Sequence, residues 1–75
     1  MTKRAFVRKT ILECLKYGHK CYAEIYIYVA QELEKSHFDS SLNRDLLRNS
    51  LKDLQRQTLI EIDYNNRYHL LNPIQ

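Results

Sequence analysis

The hydrophobic pattern of this chain changes period once, at Thr58, and that single change limits what the chain can fold into. Before Thr58 the apolar residues recur at helical spacing; after it they alternate as in strands. Helices followed by strands mark an α+β chain, mainly helical. At 75 residues there is room for one domain, residues 1–75, because a core of this size buries little more than ~60% of the surface the unfolded chain exposes. A single Gly and a single Pro are too few for a many-turned all-β fold. The apolar fraction of 44%, with six Tyr and two Phe, suffices for a packed core and argues against a disordered tail.

Three helices are expected. The first, about 4–17, places Val7, Ile11, Cys14 and Leu15 on one face, with Thr2 able to cap its start and Gly18 able to stop it in a left-handed conformation. The second segment begins ambiguously, since Tyr22, Glu24, Tyr26 and Tyr28 alternate with Ala23, Ile25, Ile27 and Val29 as a strand would. Its helix-forming second half, Val29 to Lys35, favours a helix over about 22–35, with His19 to Cys21 as an extended lead-in able to pair as a short strand. A polar connection follows, in which Phe38 is expected to anchor the loop and Asp39, Ser40 or Ser41 to cap the third helix. That helix, about 42–57, gathers Leu47, Ser50, Leu51 and Leu54 on its inner face.

After Thr58, Leu59 to Tyr64 and Arg67 to Leu71 read as two strands of a hairpin over about 59–71, closed by a two-residue turn at Asn65-Asn66. Pro73 ends the pairing. The expected architecture is three helices followed by a two-stranded β-hairpin. That order, with Leu51-x-x-Leu54, then Leu59-Ile60-Glu61, then the return strand Arg67-Tyr68-His69-Leu70, resembles the winged helix-turn-helix superfamily from about Ala5 to Leu71. The resemblance implies that the third helix reads DNA and that the hairpin is the wing. Two departures stand out: Gln57-Thr58 replaces the glycine many DNA-binding members have after the third helix, and the wing is short, with Arg67 its only cation and Glu61 and Asp63 before its tip.

Charge is unevenly distributed around a net +3. Residues 1–20 hold six Lys/Arg against one Glu, residues 21–40 one against four acids, and residues 41–60 four against two. On the third helix Arg48, Asn49, Lys52 and Arg56 share the outer face with Asp45 and are the residues expected to reach base edges or phosphates, with Arg44 on a phosphate at the helix start. Lys3, Arg4, Arg8 and Lys9 form a basic amino end able to follow a phosphate backbone, adding salt-dependent affinity without sequence information. The competing reading of both groups is a solvated charged face. Double-stranded DNA is thus the expected partner of a small transcriptional regulator, and the alternative is a protein-interaction winged helix within a larger assembly. Taken as a whole protein the chain would act by occupying DNA; taken as an excised domain, its parent would set the function.

Tyr17, Tyr22, Tyr26 and Tyr28 cannot all face one core, so at least one is expected at the surface, and Leu42 and Leu46 lie off the main stripe of the third helix. Together they suggest a homodimer or protein-partner surface, against ordinary packing on the second helix. Cys14 and Cys21 are spaced so that a disulfide is geometrically open, but no denser cysteine framework supports one; an intracellular, reducing setting is expected, in cytoplasm, nucleoid or nucleus. No apolar run reaches the ~20 residues that span a bilayer. Cys14, Cys21, His19, His37 and His69 lack the paired spacing of a zinc site, so no metal or cofactor is expected. With no phosphate loop or nucleophile motif, the chain does not read as an enzyme.

Overall fold

The computed structural model describes residues 2–38 and 42–71. Along the chain run α1 (Lys3–Leu15), β1 (Lys20–Cys21), α2 (Tyr22–Lys35), α3 (Arg44–Arg56), β2 (Ile60–Ile62) and β3 (Arg67–Leu70). The fold is α+β and mainly helical, as the switch in period requires. The strands form one antiparallel sheet in the order β1-β3-β2. This corrects the two-stranded hairpin expected above: the lead-in before α2 pairs Lys20 with Tyr68 and Cys21 with Arg67, because β3 offers β1 an edge that β2 leaves unpaired.

The predicted helical faces pack together. Val7, Ile11, Cys14 and Leu15 from α1, Ile25, Val29 and Leu33 from α2, Leu47, Leu51 and Leu54 from α3, and Ile60 from β2 form one buried core. Two small polar residues are buried with them. Thr10 donates its hydroxyl to the Phe6 carbonyl one turn back, at 2.7 Å, and Ser50 lies on the inner face of α3.

Helix ends explain most boundary differences. Thr2 caps α1 as expected, accepting from the Ala5 amide at 3.1 Å. The helix closes at Leu15, two residues early, through successive tight turns that end on Gly18 at φ 121°, a conformation that glycine adopts without steric cost. At the end of α2, His37 is left-handed, its amide bonds to Glu34, and the Phe38 amide reaches back to the Leu33 carbonyl at 3.3 Å. This closure turns Phe38 onto Phe6, ring centroids 5.0 Å apart, so Phe38 anchors the loop as anticipated. The caps proposed at Asp39, Ser40 and Ser41 fall outside the described residues. Asn43 caps α3, accepting from the Leu46 amide at 2.8 Å, and the helix therefore starts two residues later than expected.

That shift overturns the reading of Leu42. Because it precedes the helix, its helical angle is irrelevant, and it drops into the core at 5% exposure, with Leu46 half-buried against the same core. Leu42 is thereby closed to a partner, and Leu46 keeps only part of its side chain at the surface. The hairpin turn also differs: Ile62 pairs with Tyr68, and Tyr64, Asn65 and Asn66 make a three-residue connection. The Asn66 amide donates to the Asp63 carbonyl, and Asn66 takes the left-handed position. Pro73 lies outside the described residues. Both cysteines are free thiols, Cys14 buried and Cys21 half-buried, and burial raises the Cys14 pKa.

Candidate nucleic-acid interface

The inner face of α3 is wholly apolar apart from Ser50, so packing alone turns its charged residues outward. Arg44, Arg48, Asn49, Lys52 and Arg56 are all exposed, together with Asp45. The four cations recur every fourth residue, and at about 100° per residue each successive one is displaced about 40° around the helix. They therefore form a slanting row and not a straight stripe.

The neighbours at each end of the row differ. Arg44 lines a shallow cleft with Tyr22, Ala23, Tyr26 and Ile27 of α2. Arg48 lines a second, of about 330 Å³, with Tyr22, Leu51, Ile62, Asn66 and Tyr68, between α3 and the hairpin. Within that region the Tyr22 hydroxyl is buried without a hydrogen-bond partner, and burial raises the Tyr68 pKa. At the far end Arg56 pairs with Asp53, Nη1 to Oδ1 at 3.0 Å. Asp53 Oδ2 in turn faces Arg8 Nη1 of α1 at 3.9 Å.

Asp53 thus joins the basic amino end to α3. It also partly neutralises two of the predicted DNA-binding cations, Arg8 and Arg56, whereas Arg44, Arg48 and Lys52 make no ion pair among the described residues. The four amino-terminal cations do not form one patch. Arg8 is half-buried beside α3, and Lys9, one residue and about 100° further round α1, is exposed. Arg4 is exposed at the first turn, and Lys3 is half-buried. The bridging role of Asp53 is hidden in the sequence because an acid among cations reads as solubilising; the one signal for it is the i, i+3 spacing to Arg56.

Arg67 is exposed at the start of β3. Its neighbour across the sheet is Cys21, whose amide donates to Glu24 Oε1 at 2.9 Å. Hydrogen bonds from Cys21 hold the Glu24 carboxyl below its ordinary pKa, and the charges of Lys20 and Arg67 lower it further. Arg67 thus lies near the start of α2 and contributes charge there. The tip of the hairpin itself is uncharged, formed by exposed Tyr64, Asn65 and Asn66.

Among the described residues, no helix is long and apolar enough to cross a membrane. No family model, curated protein or solved structure matches the chain.

Proposed function

We propose that this chain is a winged helix DNA-binding module, with α3 lying in the major groove of duplex DNA and the basic end of α1 against the adjoining phosphates. The observation that carries this reading is the slanting row Arg44, Arg48, Lys52 and Arg56, exposed on a helix whose opposite face is locked into the core. A helix held this way presents long cationic side chains to a groove while its backbone stays fixed, which direct base readout requires. The element order helix, strand, helix, helix, hairpin supports the winged helix assignment. Arg48, Lys52 and Asn49 are the residues for base contact, Arg44 and Arg4 for phosphate. Arg8 and Arg56 serve more weakly, since Asp53 holds them. An intracellular transcriptional regulator is the role that follows.

The second reading, a protein-interaction module, draws on exposed apolar groups outside α3 itself. Tyr17 is 75% exposed, Ile27 57% and Tyr64 95%. These are the groups through which a protein partner or a second copy would bind, in place of Leu42 and Leu46.

Titration with a duplex DNA library, followed by amide NMR at two salt concentrations, separates the two. DNA binding moves α3 and amino-terminal amides and weakens steeply with salt. If no α3 amide moves, or Arg48→Ala with Lys52→Ala leaves affinity unaltered, the groove model is wrong.

A further inference from the structure

The sheet brings together three side chains from separate parts of the sequence. His19 precedes β1, Asp63 opens the hairpin turn and His69 lies in β3, and one potential ligand atom of each falls within 4.8 Å of the others. The register accounts for this. Lys20 lies opposite Tyr68, which carries His19 next to His69; Glu61 lies opposite His69 on the other side, and Asp63, two residues on, projects to the same face as Glu61.

Two of the three candidate ligands, Asp63 and His69, are oriented from behind. Asp63 Oδ1 accepts from the Asn65 amide at 2.9 Å and the Arg67 amide at 3.1 Å, leaving Oδ2 to face His19 Nδ1 at 3.5 Å. His69 Nε2 lies 3.3 Å from Glu61 Oε1, while its Nδ1 is closed to solvent and has no hydrogen-bond partner. An imidazole steadied at one nitrogen by a carboxylate, with the other nitrogen unused, is arranged as metal-ligating histidines are. The two imidazoles stack, centroids 4.7 Å apart and planes at 17°.

We propose that His19, Asp63 and His69 form a binding site for one zinc-class divalent cation, with Glu61 holding His69 from outside the coordination sphere. Two imidazole nitrogens and one carboxylate oxygen suit zinc and its borderline neighbours; calcium and magnesium prefer all-oxygen sets. Bonds of about 2.1 Å require ligand atoms roughly 3.4 Å apart in a tetrahedral site, so the present spacing must contract. His19 supplies that movement. Its side chain is 56% exposed and follows Gly18, so it can turn out of the stack toward the other two ligands. Solvent completes the coordination. The bound ion ties the segment before β1 to the hairpin turn, a link independent of the α3 cation row.

The test is titration of the full chain with zinc chloride in a non-chelating buffer at neutral pH, by calorimetry, with histidine side-chain NMR alongside. The expected result is saturable one-to-one binding that moves His19 and His69 resonances and leaves His37 in place. His19→Gln and His69→Gln each weaken binding at least about tenfold, and Glu61→Gln weakens it about tenfold by releasing its hold on His69. His37→Asn and Cys21→Ser leave it unchanged. His19 is exposed, so metal-free His19→Gln melts with the parent and a loss of binding cannot be ascribed to unfolding. Absence of saturation below millimolar zinc, binding that survives His19→Gln, or binding that disappears in Cys21→Ser would each overturn the proposal, the last by revealing a thiolate site.

Discussion

The Tyr26 hydroxyl donates a hydrogen bond to the backbone carbonyl of Leu42 across 2.9 Å, fastening the second turn of α2 to the residue that leads into α3. Leu42 is itself in the core, so this bond holds the carbonyl of a chain segment that has not yet become helical. Tyr26→Phe removes the donor and should cost about 0.5–1.5 kcal/mol. In a domain of this size each kcal/mol lowers the thermal midpoint by about 4–8 °C. A thermal melt followed by circular dichroism measures the shift, and an unchanged midpoint would mean that solvent replaces the bond without loss.

Thr58 occupies a position where most chains use glycine. Its φ is 58°, its amide bonds to the Gln55 carbonyl, and the next amide, Leu59, reaches the Leu54 carbonyl at 3.0 Å. This is the left-handed closure of a helix carboxyl end, and a β-branched side chain there is strained by about 1–2 kcal/mol. Thr58→Gly should therefore stabilise the domain, by about 1 kcal/mol after the added freedom of the unfolded chain is offset. Urea unfolding reads the change as a raised midpoint at constant slope.

Glu24 makes stability depend on acid. Hydrogen bonds from Cys21 lower its folded pKa, so its contribution is complete above the unfolded carboxyl pKa and disappears as pH falls through the folded one. The stability difference between the parent and Glu24→Ala should be largest near neutrality and shrink on acidification. A difference that stays constant with pH would remove the carboxylate from its role at the start of α2.

If α3 binds DNA, Asp53 restrains it. Asp53→Asn frees Arg8 and Arg56 from their shared partner and should both tighten duplex binding and steepen its salt dependence. Arg4→Ala with Arg44→Ala should flatten the plot of log affinity against log salt by up to about 2, near 0.9 for each phosphate that is no longer neutralised. Fluorescence anisotropy over a salt series provides both slopes. A weaker Asp53→Asn would show that the bridge positions the arginines for binding.

Much of the helical architecture was legible in the residues. The stripes Val7-Ile11-Cys14-Leu15 and Leu47-Ser50-Leu51-Leu54 identify the buried faces of α1 and α3, because a helix of given handedness must place these positions together whatever it packs on. The outward position of Arg48, Asn49 and Lys52 follows from the same geometry. The α3 cations were thus visible as a face, but their division into paired and unpaired groups was not, since Arg8 meets Asp53 only after α1 and α3 have packed.

The same limit applies to the sheet and its histidines. Alternation after Thr58 identified a hairpin, yet the three-residue turn rests on Asp63 accepting two backbone amides, a choice made by the local hydrogen bonds and not by hydrophobic period. Spacing along the chain also argued against a metal site, because it compares neighbours in sequence only. The period change at Thr58 determined by itself that a hairpin follows the three helices, and the helical stripes determined which faces turn inward. Only the tertiary structure decided that Lys20 and Cys21 pair with β3, that Leu42 is core, and that His19, Asp63 and His69 meet. Periodicity is a property of one segment, whereas each of those contacts depends on where a second segment comes to rest.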